Sequence, residues 1–218
     1  SIQHPFLEPL LQWATNVKHY LFGSDFGKNT YGHGSSLSYL GDSSAEMNID
    51  PNYVGGVLEK CLDLYGDKFK IQVLSDLKKI GYACDDIVVS AAGGVQFDGK
   101  ALYGISIKEE SIAAPTSQLV MSQGMFRAVA LIVQINKDVY EAEDGQNLTV
   151  LIDDVGEGLD YSRSAKIINL IIERCANTGL QIFMTTNDRF VMNAVPLEFW
   201  TVMERKGGRV IVYNYSNS

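Results

Sequence analysis

Leu148–Asp160, L-T-V-L-I-D-D-V-G-E-G-L-D, decides how this chain is built. Its first five residues are an apolar, partly β-branched run of strand length, flanked by polar residues on both sides. A buried strand that ends in consecutive carboxylates places Asp153 and Asp154 at the C-terminal edge of a sheet, where open α/β folds bind ligands. With Glu157 and Asp160, four acids fall within eight residues. One such carboxylate can bind Mg²⁺, directly or through water, while its neighbour orients or deprotonates a water. The plain alternative is an acidic loop after a core strand.

Working outward, residues 124–140 have the composition of a largely buried helix, and M-S-Q-G-M immediately precedes its apolar body. Ser122 is a good N-cap. The same arrangement points free N–H groups and a positive helix end at whatever lies in front, which suits phosphate oxygens. After the acidic segment, residues 162–178 read as an amphipathic helix that Gly179 would cap, and a second buried strand ends in T-T-N-D, Thr185–Asp188. Strand, helix and strand with apolar strands is the grammar of a parallel sheet flanked by helices. F-W-T-V-M and R-V-I-V-Y predict two closing strands.

Toward the N-terminus, Leu7, Leu10, Leu11, Ala14, Val17 and Leu21 recur near helical spacing and predict a helix over 5–22. A Gly/Ser/Asn-rich loop follows to residue 50. Two helices are expected over 51–82, broken at Gly66-Asp67, then short strands with a hairpin turn at Asp98-Gly99. Within the loop, G-S-D-F-G-K-N-T (Gly23–Thr30) nearly spells a phosphate-binding P-loop, but three residues rather than four separate its glycines. Asn29 follows Lys28 where Ser or Thr is required. It also follows an expected helix instead of a strand, so it reads as a loop that caps that helix.

Composition narrows the rest. The 218 residues are 46% hydrophobic and 20% charged, ordinary globular values, and the net charge of −8 argues against a broad nucleic-acid-binding face. The three cysteines are scattered with no metal-ligand spacing, and the three histidines all lie before residue 34, which argues against a zinc or histidine-based site and fits a reduced, cytoplasmic protein. No apolar run reaches membrane-spanning length, and the N-terminus is not a signal peptide.

Together, in this order and spacing, M-S-Q-G-M, L-T-V-L-I-D-D and T-T-N-D resemble the C-terminal half of an ABC-type ATPase of the RecF, SMC and OLD-like class, often grouped as AAA-family ATPases. The resemblance covers roughly residues 100–215. It implies a P-loop NTPase fold, ATP and Mg²⁺ as ligands, and two cassettes that sandwich ATP as a nucleotide-gated dimer. It implies Asp153 as the Mg²⁺ carboxylate, Asp154 as the catalytic base and Asn187 at the switch position. Ser122, Gln123 and Gly124 would face the γ-phosphate of the opposite cassette, with Asp160 on the D-loop. Residues 1–100 would then be a helical insert with a hairpin, and 101–218 the C-terminal part of the ATPase domain, whose Walker A lobe is missing from this chain. The family works with DNA or with a nuclease or other effector, in DNA repair or phage defence.

The pattern departs from the family in that the signature keeps only its Ser and one Gly, Asp154 replaces Glu, and Asn187 replaces His. Glu157 is therefore a second candidate for the base. Two rival readings stand beside the ATPase. One is a degenerate, non-hydrolytic dimerisation scaffold; the other is a metal-dependent phosphohydrolase or nuclease that uses the acidic cluster directly.

Overall fold

The computed structural model describes residues 4–23, 26–33, 50–176 and 178–215. In chain order they form α1 (Glu8–Thr15), β1 (Val17–Leu21), β2 (Gly32–His33), α2 (Val54–Tyr65), α3 (Asp67–Lys79), β3 (Cys84–Phe97), β4 (Lys100–Glu109) and β5 (Thr116–Ser117). There follow α4 (Gln123–Glu143), β6 (Leu148–Asp153), α5 (Tyr161–Cys175), β7 (Leu180–Met184), α6 (Arg189–Ala194), β8 (Thr201–Lys206) and β9 (Arg209–Asn214). The α/β class with a helix-flanked parallel sheet is what the sequence predicts.

The central sheet is parallel, in the order β1-β6-β7, and β6 is its middle strand as its apolar run requires. Helix α4 forms the spine of the core. It is buried along nearly its whole length and packs against α2, α3 and α5, with an almost wholly apolar stretch over 128–133 and buried polar residues, Gln134, Asn136, Lys137, Asp138 and Glu141, toward its C-terminal half. Strands β2, β4, β3 and the short β5 make a separate antiparallel sheet, turned at Asp98-Gly99 as expected. The expected short strands before that turn are one strand, β3, which continues past a register shift between Ala91 and Gln96. Sheet pairing thus joins residues on both sides of position 100: β1 to β6, and β3 to β4.

Two helices end earlier than expected. The helix predicted over 5–22 stops at Thr15, and Val17–Leu21 is a strand whose residues pair in register with Thr149–Asp153. Lys18 and Tyr20 point inward to α4, where Asp138 accepts from the Lys18 ammonium at 2.7 Å and from the Tyr20 hydroxyl at 2.8 Å. Glu141 also pairs with Lys18, and Lys137 with Glu141 at 2.9 Å. A buried carboxylate is tolerable only with partners of this kind, so the network fixes β1 against the core. Helix α5 ends at Cys175 with Ala176 as its C-cap rather than at Gly179. A second buried ion pair ties the helices together, with Asp76 of α3 held by Arg174 of α5 at 2.5 Å and by Asn136 of α4 at 2.9 Å.

Several apolar surfaces have no cover among the described residues. Leu21 and Phe183 are 48% and 54% exposed and share one face of the parallel sheet with His19 and Leu151. Phe6, Leu7, Leu10 and Leu11 are exposed on and beside α1, and all of β8 and most of β9 are exposed. No described helix is long and apolar enough to cross a membrane.

Candidate functional site at the C-terminal edge of the parallel sheet

The acidic loop leaves β6 at the sheet's C-terminal edge, as an apolar strand ending in carboxylates predicts. Thr185, just past β7, organises its start. The Thr185 hydroxyl hydrogen-bonds Asp153 Oδ1 and accepts from the Asp154 amide at 3.0 Å. The Thr185 amide donates to the Ile152 carbonyl, and the Val155 amide returns to the Thr185 carbonyl. Asp154 is held at φ +52, a left-handed backbone uncommon outside glycine. Gly156 and Gly158, at φ +94 and +77, turn the chain on toward α5. Asp160 then caps α5 by accepting from the Arg163 amide at 3.0 Å and pairs with the Arg163 side chain. That amide bond, foremost, holds the Asp160 carboxyl below the usual carboxylate range.

The Gly23–Thr30 loop starts beside these acids. It follows β1, a strand, and not the expected helix, so it does not cap one. The Gly23 amide donates to the Asp153 carbonyl at 3.3 Å. A Cβ placed on Gly23 would sit 2.5 Å from Glu157 Oε2, 2.8 Å from Asp154 Cβ and 3.1 Å from Asp154 Oδ2. Both candidate bases therefore gather over one side-chain-free position. Lys28 does not have the setting of a phosphate-binding lysine, because its ammonium donates to the Gln118 and Leu119 carbonyls at 3.2 and 3.4 Å. Ser24 and Asp25 of this loop lie outside the described residues.

Helix α4 begins against the same loop. Ser122 is its N-cap and accepts from the Met125 amide at 3.1 Å. Gly124 abuts the acidic loop so closely that a Cβ there would lie 2.5 Å from the Gly158 carbonyl oxygen. One turn on, Arg127 donates to the Glu157 carbonyl through Nη1 and to the Gly23 carbonyl through Nη2, both at 3.0 Å. Asn187 is exposed in the turn between β7 and α6, next to Asp188, which caps α6 through the Phe190 amide at 2.7 Å.

The structure thus gathers Asp153, Asp154 and Glu157 with Gly23 and stacks Gly124 on Gly158, while Asp160 serves a helix start. Sequence reasoning missed Gly23, Arg127 and Thr185. Arg127 did leave a signal, since a lone cation in the apolar run M-F-R-A-V-A three residues after Gly124 must share that glycine's face. Among the described residues no three His, Cys, Asp or Glu side chains converge as a metal cage. The donor set instead fits Mg²⁺, which takes one or two carboxylates and fills its remaining positions with waters and phosphate oxygens.

No protein-family model matches the chain, and no curated protein matches it in sequence. Solved structures do match in fold. An SMC head bound to the C-winged helix domain of ScpA aligns with a TM-score of 0.58 at 11% identity, over 90% of this chain and 55% of its own. A Pyrococcus furiosus SMC head domain with an extended coiled coil, bound to the C-terminal domain of ScpA, aligns with a TM-score of 0.50 at 12% identity. That alignment covers 74% of this chain and 38% of that one. The recombination mediator RecF shows a weaker likeness, at a TM-score of 0.39. The chain thus spans about half the length of the first structure and less of the second. It shares the α/β fold of those SMC heads.

Proposed function

We propose that this chain is the Walker B- and signature-bearing part of an ABC-type ATPase that closes as a nucleotide-gated dimer. One observation carries the reading. The cap of α4, the acidic loop after β6, and the polar end of β7 meet at a single sheet edge, the place where such folds bind ligands. Asp153 would hold Mg²⁺, which when bound neutralises phosphate charge. Asp154 or Glu157 would orient and deprotonate the attacking water over Gly23, and Asn187 would hydrogen-bond that water or a phosphate oxygen. Ser122, Gln123 and Gly124 would engage a nucleotide held by a second cassette, with Asp160 on the adjoining loop.

The phosphate cradle belongs to a lobe outside these residues, contributed by the rest of the protein or by another chain. Parallel sheets are normally covered on both faces, and here Leu21 and Phe183 stand exposed on a face that no described residue covers. A two-stranded ribbon such as β8–β9 is marginal alone. Both features are what an absent lobe would cover. Work with DNA or a nuclease effector, in repair or phage defence, follows from the resemblance alone.

The test is Mg²⁺-dependent ATP hydrolysis by the full protein that carries this chain. Asp153→Ala should abolish turnover, and either Asp154→Asn or Glu157→Gln should lower kcat by about 100-fold or more. A protein that binds ATP and dimerises without turnover would favour the scaffold reading. One that neither binds nor hydrolyses ATP overturns the proposal. Mg²⁺- or Mn²⁺-dependent cleavage of DNA or a phosphate ester by this chain alone would favour the nuclease reading instead.

A further inference from the structure

Arg127 is the first charged residue along α4 and is only 8% exposed. A guanidinium buried that far is costly unless its donors are satisfied. Two of its nitrogens are satisfied by backbone carbonyls from separate segments, Glu157 in the acidic loop and Gly23 after β1. We infer that Arg127 is a positioning residue that clamps the signature end of α4, the acidic loop and the post-β1 turn into one rigid unit. The inference rests on the ATPase reading of the site, which does not itself assign Arg127 any part.

Four features point to a built clamp. The planar fork of arginine can serve two acceptors at fixed separation, which the single ammonium of lysine cannot reproduce. On the loop side Gly158 has φ +77, which favours glycine, and a Cβ there would press on Arg127 Nη1 at 2.7 Å. On the helix side, Gly124 lets the first turn of α4 approach the Gly158 carbonyl. The acceptors are also the carbonyls of the two residues that bring acid and glycine together, since the Glu157 carboxylate hangs over Gly23. Arg127 therefore sets where Asp154 and Glu157 stand through the backbone that carries them. Because Ser122 caps the same helix, any ligand that shifts this helix end shifts the acids with it.

The experiment compares wild type, Arg127→Lys and Arg127→Met in the full protein carrying this chain. The readouts are ATP turnover per folded molecule and amide hydrogen exchange by segment. The clamp predicts a kcat loss of about ten-fold or more with half-saturating ATP changed less than about two-fold, the pattern of lost transition-state positioning. It also predicts that residues 22–23 and 155–159 lose protection together, by about ten-fold or more, while α2 and α3 are unchanged. Raised half-saturation with kcat intact would mean that Arg127 serves nucleotide binding, and would overturn the inference. So would faster exchange in α4 alone. A wild-type protein without ATPase activity would defeat the ATPase reading, and the exchange data would still decide the clamp: joint loss supports it, independent behaviour refutes it.

Discussion

Replacing Gly124 with alanine tests the contact on which the site geometry depends. An ideal Cβ at this position lies 2.5 Å from the Gly158 carbonyl oxygen, roughly 0.9 Å inside the 3.4 Å of ordinary contact. Both parties are backbone, so no rotamer change relieves the overlap, and either the start of α4 or the acidic loop must move. Forced overpacking of this kind costs about 1–3 kcal/mol. Against it stands the helix propensity of alanine, at most about 1 kcal/mol better than glycine and less in a first turn. The overlap wins, with a net loss of about 1–2 kcal/mol. For a chain of this length each kcal/mol lowers the thermal midpoint by about 2–4 °C, so the variant should melt about 2–8 °C below wild type.

Circular dichroism melting gives the number, with Gly208→Ala as the control. Nothing lies within 4 Å of a Cβ at Gly208, so that substitution should be close to neutral. If Gly124→Ala melts at or above wild type, propensity has acted unopposed. The first turn of α4 then does not rest on Gly158, and the convergence of the start of α4 with the acidic loop is wrong.

Gly23→Ala probes the same site from the other side. Its Cβ would press on Glu157 Oε2 and Asp154 Cβ, and only the glutamate tip can swing away, so kcat should fall about ten-fold or more. Unchanged turnover in an active protein would refute the placement of the two acids. The β1–α4 network makes stability sensitive to alkali. Burial alone would lower Lys18, but Asp138 and Glu141 outweigh it and hold its ammonium above the ordinary 10.5. Burial first, then Asp138, raises the Tyr20 phenol above 10.0. In both cases the folded state keeps a proton that the unfolded chain releases. The contribution is therefore complete below about pH 10 and is lost as pH rises beyond it. The melting temperature should fall between pH 10 and 11, and less steeply in Tyr20→Phe; identical slopes would show that Tyr20 does not titrate against Asp138.

What the sequence disclosed and what it hid have one physical cause. Strand β6 and the first half of α4 are legible because apolar residues supply most of their burial, and the acidic loop because carboxylates and glycines follow a buried strand at once. Strand β1 inverts that rule. Its inward residues are Lys18 and Tyr20, and its outward residues include His19 and the half-exposed Leu21. Lys18 can face inward only because Asp138 and Glu141 wait on α4, more than a hundred residues away, and no local pattern records a counterion at that distance. A search for apolar periodicity therefore counts Lys18 as solvated and adds Val17 and Leu21 to the helical series of α1. A helix extended through Leu21 puts Gly23 after a helix and outside the site. Gly23 and Arg127 could be found only in space, because each works through backbone carbonyls, which carry no sequence signature. The acids of such a site can be read from the chain, but the groups that aim them are read from the fold.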